Sequence, residues 1–329
     1  MNTQRWIARR EQSWKALDTL LKRVEQEGIR SLQAKEIETL ASLYRSVSAD
    51  LARARTYQVG NATIQNLQQL TSRSYAQIYQ GSRRQEWHRL WDFYRYGFPT
   101  VVQQSRSYIA LAVVLFGVAG LVGWWFSWQD PSFIALIAPP DLISQVRDRH
   151  ELWMGSIVGI EPYASSSIMI NNIKVSFTAV AGGATGGLLT GYIMLFNGLL
   201  IATLATLVAQ NNLAYPFWAF VLPHGSLELP AIFFAGAAGF LIGRALLFPG
   251  QYRRADALKI YGVQAAKLVY GIVPMLVIAG LIEGFFSPNP TVPDTLKYLV
   301  GMTLFVGLVV YLSQSAPKPA DSPPSNPLG

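Results

Sequence analysis

The sequence predicts an all-α protein: a polytopic bundle of about six membrane-spanning helices with one re-entrant segment, preceded by a basic cytoplasmic helical domain. Three observations predict it. Only 14% of the 329 residues are charged and 51% are hydrophobic, whereas about a quarter of a soluble protein is charged. The charge is concentrated at the front, where residues 1–106 hold 17 Lys/Arg and 9 Asp/Glu, leaving 10 of each for the remainder. Beyond that point the chain is a series of apolar runs of spanning length, bounded by aromatic and basic residues. There is no cysteine, which excludes disulfide scaffolds, thiolate metal sites and Cys nucleophiles.

Residues 1–105 form the expected cytoplasmic domain. Arg5, Arg9, Arg10, Glu11 and Lys15 leave no room for the apolar core of a secretory signal. Trp14, Leu17, Leu20, Leu21 and Val24 recur at helical spacing up to Gly28, and Ile37, Leu40, Leu43, Tyr44, Val47 and Leu51 repeat the pattern from about Ala34. Two such stripes suit an αα-hairpin. Ile64, Leu67, Leu70, Ile78 and Tyr79 give a weaker third pattern. From Glu86 to Phe98 aromatic residues alternate with Arg89 and Arg95, and Arg83 and Arg84 lie just ahead. Rings at headgroup depth and Arg at lipid phosphate predict an interfacial helix, and the adjacent span makes nucleic-acid binding the weaker reading.

Residues 106–312 form the expected membrane domain. Ile109 to Phe126 is free of charge and closed by Trp124, Trp125 and Trp128, which makes span one. An acidic outer loop follows over 127–172, with breaks at Pro139, Pro140 and Pro162 and a short surface helix around Leu142 to Trp153. Val175 to Leu227 is 53 residues without Asp, Glu, Lys or Arg; as one helix it would be about 80 Å long, too long for a bilayer core of about 30 Å. A fold at Asn197-Gly198 gives span two at about 173–195 and span three at about 198–212. Tyr215 to Pro223 is then too short to cross and reads as re-entrant or interfacial. Spans four, five and six follow at about 229–248, 261–282 and 296–312, and Arg244 lies near the end of span four. Gly183, Gly187, Gly191, Gly239 and Gly243 repeat at four, a spacing for close helix packing within or between subunits.

Six spans with the amino end inside put Arg253, Arg254 and Lys259 in the cytoplasm and the acidic loop outside, as the positive-inside rule requires. Lys174 is the exception. The tail over 313–329 is polar and Pro-rich, and so is expected to be disordered.

Few polar groups lie at membrane depth: His224, Glu228, Glu283, Asn171, Asn172 and Asn197, with Glu161 in the outer loop. Such groups are expensive in lipid and are functional candidates by default. His224 and Glu228 are four apart, but Pro223 and Gly225 argue for a turn at the histidine. A zinc site wants three or four ligands, so no metal and no other cofactor is expected. The bland account of both glutamates is hydrogen bonding to amides at a helix end; the sharper one is a proton or ion path. The chain has no Gly-x-Ser-x-Gly elbow, His-Glu-x-x-His helix or phosphate loop, so no catalytic residue and no enzyme activity are expected.

Read together, Tyr44-Arg45, Asp50-Leu51, Ala54-Arg55, Asn197-Gly198, Leu222-Pro223-His224-Gly225 with Glu228, Phe248-Pro249-Gly250, and Glu283-Gly284-Phe285 with Ser287-Pro288 resemble the stage II sporulation protein M family of bacterial integral membrane proteins. The resemblance runs from about residue 10 to 312. It matches His224, Glu228 and Glu283, which with the membrane-depth residues Asn197 and Asn172 make a candidate polar cluster, and Tyr44, Arg45, Asp50 and Arg55, which make a candidate cytoplasmic motif. The family's namesake acts in membrane and cell-wall remodelling during engulfment, alongside partners that degrade peptidoglycan. The long basic domain ahead of the spans departs from that pattern, so the resemblance implies a membrane scaffold and not a sporulation role. The expected setting is the bacterial plasma (inner) membrane, as a homo-oligomer touching lipid and an envelope or cytoplasmic protein, with no nucleic-acid partner. A transporter or channel using Glu228 and Glu283 is the alternative.

Overall fold

The structure is a computed structural model that describes residues 3–80, 83–157 and 159–314. The described residues are helical, with no strand among them. Two compact units divide between Asp92 and Phe93.

The first unit holds α1 (Thr3–Glu27), α2 (Ala34–Thr56), α3 (Asn61–Tyr75) and α4 (Arg83–Asp92). Gly28, at φ +83°, ends α1, a left-handed position that glycine takes without a steric penalty. A capping box between Gln33 and Glu36 starts α2. The stripes read from the sequence meet in one core of Trp14, Leu17, Leu21, Val24, Leu40, Val47, Leu67 and Leu70. Arg73 of α3 ties itself to Asp18 at 2.7 Å and to Glu25 at 2.8 Å on α1. Hydrogen bonds from Lys22 and then Arg73 hold the Asp18 carboxyl below the usual carboxylate range. In α4, Trp87, Leu90 and Trp91 are exposed; the side chains of Arg83 and Arg84 lie outside the described residues.

The second unit begins with a π turn over Phe93–Gly97 and α5 (Phe98–Gln104). Residues 93–104, grouped by the sequence reading with the first domain, pack inside this unit. Tyr94 donates to the Tyr270 carbonyl at 3.0 Å, and the Phe98 ring lies over Gly271, where a Cβ would come within 1.8 Å of it.

Then come α6 (Arg106–Gln129), the short α7 (Ile134–Ile137) and α8 (Pro140–Arg147), α9 (Glu161–Ala181), α10 (Leu188–Gln210), α11 (Ala214–Leu247), α12 (Arg254–Leu281), extended by a π turn over Ile282–Phe286, and α13 (Asp294–Leu312). Five of these are long and apolar enough to cross a membrane: α6, α10, α11, α12 with its π turn, and α13. The less apolar α9 completes the bundle. Cross-links sort the helix ends: Arg244 donates to Tyr108 and Tyr261 at one end, while Gln210 bonds the Ser127 carbonyl and Tyr298 the Tyr215 carbonyl at the other. Successive long helices therefore alternate in direction, with α9 running opposite to α6 and α10.

Two boundaries differ from the sequence reading. The fold point expected at Asn197-Gly198 lies instead at Gly182–Gly187, where Gly186 and Gly187 have φ of +71° and +90°. Gly198 sits inside α10 because α6 touches its backbone, and a Cβ there would be 2.0 Å from the Phe116 carbonyl oxygen. Residues 215–223, expected as a re-entrant element, are the first turns of the 34-residue α11. The acidic loop shortens accordingly, because α9 already begins at Glu161. The tail expected to be disordered lies, from 315 onward, outside the described residues.

Candidate functional site

The site is built on α11. Proline inside a helix removes one ladder hydrogen bond and crowds the preceding turn, yet α11 continues through both Pro223 and Pro230. Packing against α9, α10, α12 and α13 holds it, as neighbouring helices do in membrane bundles. The turn expected at the histidine is therefore absent. His224 and Glu228 lie one turn apart on the same face of an unbroken helix.

Glu283 arrives from α12. Its π turn, Ile282–Phe286, carries an extra residue per turn, a local widening found mostly at functional positions. Gly280 and Gly284 let α9 press against this turn, since a Cβ on Gly284 would stand 2.2 Å from Ser165 Cβ. Ser165 fixes the contact by donating to the Gly280 carbonyl at 2.8 Å. Held this way, Glu283 places Oε1 3.8 Å from His224 Nε2. The other ring nitrogen, Nδ1, faces Ser287 Oγ at 3.3 Å.

His224 is only 5% exposed. One oxygen of Glu228 and one of Glu283, both Oε2, are buried without a hydrogen-bond partner. This does not fit the bland account of the glutamates as helix-end caps, since Glu228 sits mid-helix. One ligand atom from each of His224, Glu228 and Glu283 lies within 4.8 Å of the other two.

Two cavities share both glutamates. The smaller, about 180 Å³, runs past Trp218 and His224 toward Trp153 and Met154. The larger, about 580 Å³, is lined on its polar side by Ser167, Asn171, Asn172, Asn197, Glu228 and Glu283. Asn197, in the middle of α10, anchors its amide to the Ile193 carbonyl. Val175 and Ile232 line the same cavity. The next turns toward the Arg244 end are closed: Thr190 bonds the Ala179 carbonyl at 2.7 Å, and a Cβ on Gly239 would lie 2.3 Å from that oxygen. Gly183 against Gly239 and Gly243 against Gly186 continue this contact layer.

The second candidate motif, Tyr44, Arg45, Asp50 and Arg55, lies in the first unit. Asp50 is fully buried and accepts from Arg10 at 2.7 Å and from Trp14 Nε1 at 3.0 Å, while Arg10 also reaches Ser46. Arg55 is exposed and donates to Gln68; Arg45 is exposed, and Tyr44 is half-buried. Asp50 is thus a packing anchor between α1 and α2. Sequence reasoning missed the roles of Ser165 and Ser287. Ser287 follows Glu283 by four, a visible signal, but the π turn that orients the pair has no periodic signature.

The Stage II sporulation protein M family matches residues 112–288, which contain the whole polar cluster. A separate family, described only as a domain of unknown function, matches residues 4–80. An uncharacterized protein of Methanocaldococcus jannaschii is 31% identical over 125 residues, covering 37% of this chain and 70% of that protein. No solved structure matches. On the match over residues 112–288, which covers more than half of the chain, the protein belongs to the Stage II sporulation protein M family.

Proposed function

We propose that the protein is a multi-pass organiser in the plasma (inner) membrane of a bacterium, with both termini in the cytoplasm. Its basic helical unit recruits an envelope or cytoplasmic protein or anionic lipid, and the membrane unit forms a homo-oligomer. The observation that carries the reading is the division of the membrane unit into two halves: a polar cavity in one, and direct backbone contacts at Gly183, Gly239 and Gly243 in the other. Backbone-to-backbone contact leaves no side chain free to rearrange, which suits a fixed platform over a moving gate. The orientation rests on the positive-inside rule, which puts the basic residues Arg253, Arg254 and Lys259 of the loop before α12 on the cytoplasmic side. Mild crosslinking in native membranes, followed by purification, recovers a defined homo-oligomer or a stoichiometric companion; a monomer without companions contradicts the proposal.

A second reading, an ion- or proton-coupled transporter or channel, is favoured by the polar cavity that reaches Asn197 at mid-span. Proteoliposome flux that Glu228→Gln abolishes would put this reading first. Silence over a broad panel of ions would leave the organiser.

A further inference from the structure

Three features of the polar cluster have no role in the organiser reading. Two carboxylates lie side by side, each with a buried oxygen that receives no hydrogen bond. A buried histidine turns Nε2 toward one of them. Its other nitrogen faces a hydroxyl, the arrangement by which an outer partner fixes the tautomer of a metal-binding imidazole. Uncompensated burial of a charge costs several kcal/mol, and a single cation between the three groups offsets it.

We propose that His224, Glu228 and Glu283 bind one divalent transition-metal ion of the zinc type, with Ser287 positioning the imidazole. One nitrogen and two oxygen donors form a three-ligand set of the kind that holds zinc with a position left open. Bonds of about 2.0–2.2 Å place ligand atoms roughly 3.3 Å apart in a tetrahedron. From separations of up to 4.8 Å, the ligand atoms need to close by as much as about 1.5 Å, within the reach of glutamate rotations. All three ligands line the smaller cavity and both glutamates also line the asparagine-lined one, so water or a polar ligand reaches the open position from these cavities. Imidazole among the donors favours Zn²⁺ over Mn²⁺ and Mg²⁺, which suit oxygen ligands, Mg²⁺ most strictly.

The inference does not depend on the organiser reading, since either a platform or a transporter can hold a resident ion. Its test uses the full chain, purified in mild detergent with an affinity tag free of histidine, stripped with a chelator and titrated with Zn²⁺, Mn²⁺ and Mg²⁺ separately. The expected result is one tightly held Zn²⁺ per chain by elemental analysis, with a raised melting temperature, and Mg²⁺ binding at least about 100-fold weaker. Glu228→Gln and Glu283→Gln each abolish stoichiometric zinc while the elution profile is kept. Ser287→Ala weakens zinc about 10- to 100-fold without removing it. Co²⁺ added to the wild type gives the visible absorption of a low-coordinate nitrogen–oxygen site, a readout that survives if a variant fails to fold. Folded wild type that holds no Zn²⁺ or Mn²⁺ and gives no Co²⁺ band overturns the proposal, as does zinc binding unchanged in both glutamate variants.

Discussion

Asp50 concentrates the energetics of the first unit in one carboxylate. It is fully buried and takes hydrogen bonds from both Arg10 and Trp14. Removing it strands the buried Trp14 indole N–H, while the part-exposed Arg10 still reaches water, a loss of about 1–3 kcal/mol. Asp50→Ala is therefore expected to destabilise the first unit by about that amount, measured as lost hydrogen-exchange protection in α1 and α2 of the intact protein. Arg45→Ala, at an exposed position, is expected to change the same measurement by less than about 0.5 kcal/mol. Asp18 carries a pH dependence of definite sign. Lys22 and Arg73 hold its carboxyl below the unfolded value, so its stabilisation is present at neutral pH and is lost as pH falls through the folded value. Asp18→Asn should lower the melting temperature at about pH 7, and the difference from wild type should shrink as the pH is lowered through the carboxyl's folded value.

At the scale of elements, glycine decides where helices stop and where they touch, and these two uses look alike in a sequence. Gly198, read as a turn, is a contact point for Phe116, whereas the turn lies at Gly186 and Gly187 with their positive φ. Hydropathy found α6 and α13, whose ends are marked by aromatic residues and polar breaks. It could not divide the uncharged run over 175–227, because composition does not record backbone handedness. Pro223 misled in the opposite sense: it sits in a helix that tertiary packing sustains. The cluster of His224, Glu228 and Glu283 was legible as scarce polar groups at membrane depth. Its geometry was not, since it depends on the π turn after Leu281. Gly198→Val should part α6 from α10 and lower the melting temperature in detergent, at a cost of about 1–3 kcal/mol. Gly117→Val, where nothing lies within 4 Å of a Cβ, should leave it unchanged.

On the scale of the whole molecule, alternating helix directions place the Arg244 end and the Gln210 end on opposite sides of the membrane. The cavity with its histidine and two glutamates lies nearer the Gln210 end, and the glycine contact layer nearer the other. If α6 starts on the cytoplasmic side, the loop before α12 returns to that side only when α9 crosses along with the five more apolar helices. Because the chain has no cysteine, single cysteines report this arrangement without background. The direct measurement compares Gln251→Cys, between α11 and α12, with Thr291→Cys, between α12 and α13, using a membrane-impermeant thiol reagent on intact cells. The account predicts that position 291 labels in intact cells and position 251 only after the membrane is opened. Labelling of position 251 from outside would contradict it.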